Sequence, residues 1–161
     1  MLRVPFFKQD TDYTCGPASL QMVLAFFGDR LSERDLGLRL QTEPEKGTRH
    51  GPLISVAQEE GFQCYVNANS SLDEIRHFLR RGLPVIIDYS DSDPFDGHYS
   101  VVVAYNHPYV VLNDPWNGRH YKLHHRHFSA QWKDQITSSE RWMMVLSRED
   151  FEFGRVYKPK D

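Results

Sequence analysis

Between Leu20 and Phe27, apolar residues fall at Leu20, Val23, Leu24 and Phe27, the spacing of one helix face, and Met22, Ala25 and Phe26 fill in around them. That predicts a helix buried on most sides, stopped at Gly28. LSERDLGLRL predicts a second, short helix, with Ser32 as N-cap and Leu31 and Leu36 placed as a hydrophobic staple. GPLISVAQEEGF predicts a third, with Pro52 near its start and Gly61 where a C-cap falls. In SSLDEIRHFLRRG, Ser71 and Glu74 stand at capping-box spacing, Leu72, Ile75, Phe78 and Leu79 share a face, and Gly82 ends a fourth helix.

From Leu83 the period changes. LPVIIDY, HYSVVVAYN, YVVLNDP, RHYKL and RWMMVLS are short β-branched and aromatic runs separated by turn residues, which predicts a mostly antiparallel sheet. Asn106, His107 and Pro108 make a tight hairpin connection. Helices first and strands afterwards give an α+β fold, N-terminal helices against a C-terminal sheet. The expected organisation is one domain over residues 1–161: a helical part at about 1–82, a sheet part at about 83–150 and a C-terminal tail at 151–161.

Composition narrows the function. The 40% hydrophobic and 25% charged residues are those of an ordinary globular chain. A net charge of −3 supplies no broad cationic field, so nucleic acid is not the expected partner. No apolar run approaches the ~20 residues of a membrane span, and MLRVPFFKQD lacks a secretory h-region, so the expected location is cytoplasmic. The two cysteines, Cys15 and Cys64, form no metal-knuckle spacing. Cys64 in GFQCYVN reads as a small buried strand residue.

Cys15 is different. In QDTDYTCGPASLQMVLAFFG it opens the buried helix, where unpaired backbone N–H groups and the helix dipole favour a thiolate. Pro17 fits a first turn, and Gly16 is expected to let a substrate carbonyl approach the backbone. A nucleophile needs a base, and the base needs a group that orients it. His98 opens one strand, and Asn113, Asp114 and Pro115 end the strand that returns beside it, so antiparallel pairing brings His98 and Asp114 together. Asn113 is the alternative orienter. Gln9, six residues before the cysteine, is placed to donate to an oxyanion together with the Cys15 N–H.

This constellation resembles the papain-like cysteine peptidases, which place a Gln six residues before a helix-capping Cys, with His and an Asp or Asn later on strands. The forms QDTDYTCGPASLQMVLAFFG, GHYSVVVAY and NDP are similar to those of the bacteriocin-processing, double-glycine leader peptidases and their stand-alone relatives. The resemblance runs from about Val4 to Pro115. It implies a papain-like fold and hydrolysis of a peptide or protein substrate without a cofactor. Cys15 would be the nucleophile, His98 the general base and acid, Asp114 the orienter and Gln9 the oxyanion donor. Export-linked members are fused to membrane spans and an ATPase. This chain carries neither a span nor a G-x-x-x-x-G-K-[ST] loop, so a stand-alone peptidase is expected. Thr14 stands where many members carry Asp, a change expected to affect only local capping. Two rivals share the same residues: an acyltransferase of transglutaminase type, and a silent peptide-binding module.

Two further clusters read as surface. His120, His124, His125 and His127 with Arg119, Lys122 and Arg126 form a solvated basic edge, with no carboxylate or cysteine to complete a metal set. Asp88, Asp91, Asp93 and Asp96 precede His98 and read as an acidic rim of the cleft, at a spacing unlike a calcium loop.

Overall fold

The structure is a computed structural model that describes residues 1–90 and 97–160. Among the described residues, five helices, α1 (Cys15–Phe26), α2 (Glu33–Arg39), α3 (His50–Glu59), α4 (Leu72–Arg80) and α5 (His125–Gln131), surround a seven-stranded sheet. Its strands are β1 (Gln63–Asn67), β2 (Val85–Ser90), β3 (Gly97–Asn106), β4 (Tyr109–Asp114), β5 (Gly118–His124), β8 (Met143–Ser147) and β9 (Val156–Tyr157), in the order β5-β4-β3-β2-β8-β1-β9. All the strand pairings are antiparallel, and β6 (Lys133–Asp134) and β7 (Ser139–Glu140) form a separate ribbon. This is the expected α+β class.

Both faces of the sheet are covered, which explains why the central strands read as continuous apolar runs. Ile86, Val101, Val103, Val111, Met144 and Leu146 face a core made with Leu20, Leu24, Leu36, Leu53 and Val56 of α1, α2 and α3. Their neighbours Val85, Ile87, Val102, Val110, Leu112, Met143 and Val145 face a second core with Ile75, Phe78, Phe128 and Trp132. The helical front therefore does not form one layer: α4 lies on the opposite face from α1–α3, alongside α5.

The caps at Ser32 and Ser71 form as spaced, each accepting from the residue three positions on. The capping box at Ser71 is only half made. Glu74 sends its carboxylate to the Tyr65 hydroxyl and the Asn67 amide instead, tying α4 to β1. Two strands fall outside the expected sheet stretch. β1 lies among the helices and pairs with β8, and β9 lies in the expected tail and adds an edge strand to β1. The strand reading of GFQCYVN holds for β1, whereas the two-residue β9 is too short for a periodic signal to separate from its surroundings. The basic edge is also not all strand, since HHRHFSAQ turns into α5 to bury Phe128.

Among the described residues, no helix is long and apolar enough to cross a membrane.

Candidate active site

Cys15 is the first residue of α1. The helix that carries it is held rigidly, because Leu20, Met22 and Leu24 are fully buried and each such side chain contributes about 1.5–3 kcal/mol. Thr14, the N-cap residue, makes no side-chain cap bond. Its hydroxyl instead accepts from the Thr11 N–H at 3.1 Å and pairs with the Thr11 hydroxyl at 2.9 Å, so it braces the loop before the cysteine rather than the helix. The same loop is fixed from outside by Glu33 of α2, whose carboxylate takes the Asp10 N–H at 3.1 and 3.2 Å.

The strands meet this helix start at β3. The Tyr99 backbone N–H donates to Cys15 Sγ at 3.4 Å. In the β2–β3 register Tyr89 stands opposite His98, so both side chains lie on one sheet face, while Asp88 and Tyr99 lie on the other. His98 Nε2 is 2.8 Å from Asp114 Oδ1, and the Tyr89 hydroxyl donates to Asp114 Oδ2 at 2.6 Å. Asp114 Oδ1 also takes the backbone N–H groups of Trp116 at 3.0 Å and Asn117 at 2.8 Å, in the turn after β4. With Nε2 committed to Asp114, Nδ1 is the ring nitrogen left for Cys15, which is also hydrogen-bonded to the His98 side chain.

The electrostatics follow from these contacts. Burial alone would lower the His98 pKa. The Cys15 charge and the hydrogen bonds to Asp114 and Cys15 outweigh it and lift His98 well above its ordinary value. Burial alone would raise Asp114, but the bond and charge of His98, the Asn117 N–H and the Tyr89 hydroxyl hold it below the usual carboxylate range. These contacts favour the charged imidazole and the ionised carboxylate. Among the described residues Cys64 has no such partners, and burial pushes its thiol up to about 12.

Gln9 is buried beside this group, its backbone N–H donating to the Pro115 carbonyl at 3.1 Å just past Asp114. One N–H of its side-chain amide goes to the Thr11 carbonyl at 2.6 Å, which leaves the second as a donor. The structure thus brings Gln9, Cys15, His98 and Asp114 to one place.

Asn113, the alternative orienter, turns its side chain away from His98. Its amide nitrogen donates to the Val4 carbonyl at 3.0 Å and its oxygen accepts from the His120 N–H at 3.4 Å, on the face opposite Asp114. It pins the N-terminal arm to the sheet where the β4–β5 register shifts.

Gly16 has a packing reason to be small. A Cβ there would overlap the Thr48 hydroxyl and lie 2.7 Å from Thr48 Cβ. Thr48 cannot withdraw freely, since its carbonyl takes the Tyr99 hydroxyl at 2.7 Å and its own hydroxyl meets Thr42 at 2.8 Å. Gly16→Ala is expected to lower stability by about 1–3 kcal/mol through overpacking. Thermal denaturation would read this, and Thr48→Gly in the same chain should recover most of the loss. An unchanged melting temperature would show that the helix start is not packed this tightly.

Asp88 is not on a rim. It is fully buried, bonded to His50 Nε2 at 2.9 Å and to the Thr137 hydroxyl at 3.0 Å. Asp91, Asp93 and Asp96 lie outside the described residues.

Sequence reasoning missed Tyr89, Glu33 and Thr48. Tyr89 reads as one more aromatic in an apolar strand, and only the register aligns its hydroxyl with Asp114. Glu33 carries a weak signal: an acidic residue in a helix's first turn that is nevertheless buried.

Residues 1–139 match the model of the Peptidase_C39 like family. An uncharacterised protein of Methanothermobacter marburgensis is 35% identical over 112 residues, 70% of this chain and 72% of that protein. Another from Methanothermobacter thermautotrophicus is 32% identical over 111 residues, 69% and 71% respectively. Among solved structures, the peptidase domain of Streptococcus ComA, a bifunctional ABC transporter of a quorum-sensing pathway, superimposes with a TM-score of 0.73 at 20% identity, covering 91% of this chain and all of that domain. A Bacillus anthracis protein described as C39-like gives 0.74 at 19% identity, covering 92% and 96%. A double-glycine motif protease from an AMS/PCAT transporter, in complex with the leader peptide, gives 0.72 at 20%, covering 89% and 91%. The fold is the papain-like fold of these C39 peptidase domains.

Proposed function

Because the chain belongs to the Peptidase_C39 like family, we propose that it is a cysteine peptidase whose working residues are Cys15, His98, Asp114 and Gln9. The Cys15 thiolate attacks the scissile carbonyl carbon, and the electron pair of the C=O bond moves to oxygen. The Gln9 amide and the Cys15 N–H donate to that oxyanion. The His98 imidazolium gives its proton to the leaving amine as the C–N bond breaks, leaving a thioester on Cys15. His98, now neutral, takes a proton from water, whose oxygen displaces the thiolate and frees the acid. Asp114 and Tyr89 keep the ring oriented throughout.

The observation that carries this reading is the unbroken line of contacts from the Cys15 sulfur through the His98 ring to the Asp114 carboxylate. The structural relative solved with a leader peptide supports a peptide as the substrate class.

The signs of the two shifts set the pH dependence. His98 is raised, so its stabilising charge is present below its ordinary pKa and is lost as pH rises through the raised value. Asp114 is lowered, so its contribution is present above its ordinary pKa and is lost as pH falls through the depressed one. Between those limits the charged pair persists. At pH 6, iodoacetamide is expected to modify Cys15 at least about a hundredfold faster than Cys64, whose thiol titrates only at about 12. Peptide mass spectrometry over time reads both rates. Equal rates, or faster reaction at Cys64, would contradict the proposal.

A further inference from the structure

On the sheet face opposite Tyr89 and Asp114 lies a second group of ionisable side chains, which the proposed reaction does not use. Asp88 of β2 and Asp134 of β6 are both buried, and their carboxyl groups are hydrogen-bonded to each other. Asp88 Oδ1 is buried and meets no N–H or O–H donor among the described residues. Two buried carboxylates in contact repel each other strongly when both are ionised, so a proton between them is the natural way to satisfy that oxygen.

The pair touches the backbone that carries His98. A Cβ on Gly97 would overlap the Asp134 carboxyl group, so Asp134 is packed directly against the main chain one residue before His98. The His98 backbone N–H lies close enough to Asp88 to favour its charged form. Asp134 is itself held by the Ile136 N–H at 2.8 Å, and β6 is tied to β2 by the Ser90 hydroxyl on the Lys133 carbonyl at 2.7 Å.

We propose that Asp88 and Asp134 hold one proton between them and, through that bond, position the Gly97–His98 backbone so that the imidazole meets Cys15. These are positioning residues, and the assignment rests on the reading of His98 as the base. Among the described residues, the groups facing the pair are His50 from α3, His98 and Tyr99 from β3, Cys15 from α1 by way of Tyr99, and Thr137 from the β6–β7 turn; Lys133 and Glu140 of the ribbon are exposed. His50 supplies no charge to the pair at neutral pH, because burial against Trp142 lowers it to about 4. Burial raises both carboxyls, and the charge of Asp88 raises Asp134 further, so Asp134 is the one that keeps the proton.

Asp134→Asn retains an N–H for Asp88 and cannot ionise, whereas Asp134→Ala removes the contact. Two readouts on the whole chain test the proposal. The first is Cys15 alkylation by iodoacetamide at pH 6: alanine should slow it at least about tenfold, and asparagine should recover most of the wild-type rate. The second is melting temperature from pH 5 to pH 8. The folded wild type binds its proton more tightly than the unfolded chain, so it should lose stability relative to Asp134→Asn as pH rises. Undiminished alkylation in a folded alanine variant would overturn the positioning role, as would an asparagine variant as slow as alanine. A wild-type to asparagine gap constant with pH would overturn the shared proton, and this melting comparison decides even where the alanine variant does not fold. If wild-type Cys15 proves no more reactive than Cys64, it is the proposed function that fails, while the pH-dependent gap still reports on the proton.

Discussion

Replacing Cys15 by alanine is expected to remove peptide hydrolysis, with a loss of about 10⁴–10⁶-fold in kcat, the cost of deleting the nucleophile from a set that acts as a unit. Cys64 offers no substitute, being fully buried with its thiol pushed up to about 12. The fold should survive the change. Cys15 accepts the Tyr99 N–H beside its contact with His98, and leaving that N–H unmet costs about 1–3 kcal/mol. A purified Cys15→Ala chain that melts within a few degrees of the wild type and cleaves none of a peptide library, beside a wild type that cleaves some members, is the expected result. Equal cleavage by the two would place the chemistry elsewhere.

The second large effect is expected at Asp114. Alanine there removes the carboxylate that four donors share: the His98 ring, the Tyr89 hydroxyl and the N–H groups of Trp116 and Asn117. Breaking a buried charge pair from one side costs about 3–5 kcal/mol. Loss of the orienting group of a triad lowers turnover by about 10⁴-fold. Asp114→Asn separates the two effects, because its oxygen still accepts the ring N–H while its charge is gone. The asparagine chain should therefore stay folded, and its activity should fall away at lower pH than the wild type's, since the anion no longer holds the proton on His98. Profiles of kcat/KM against pH for the three chains check this. A wild-type profile in Asp114→Asn would mean that His98 takes its charge from another group.

What could be read from the sequence and what could not divide along the range of the interactions. α1, α2 and α4 are written in local periodicity and in the caps at Ser32 and Ser71, all within a few residues. The pairing of His98 with Asp114 was legible because it needs only one hairpin, and Cys15 was joined to them by a nucleophile's need for a base and by the family resemblance. Contacts set by distant segments left no local mark. Gly97 is small because Asp134 packs on it, and Gly16 because Thr48 does; neither partner can be guessed from its neighbours. Asp88 sits among acidic, turn-forming residues and reads as exposed, yet strand alternation turns it inward beneath His50. Asn113 and Asp114 are adjacent and chemically alike, and only the pleat, which sends them to opposite faces, gives one to the N-terminal arm and the other to His98.

Acid-quenched mass spectrometry, after mixing the protein with an activated ester of an N-acylated glycine, would test the central claim most directly. The account predicts an acyl adduct confined to the Cys15 peptide, absent from Cys15→Ala and strongly diminished in His98→Ala. An adduct that forms as fast without the His98 ring, or that resides on Cys64, would contradict it.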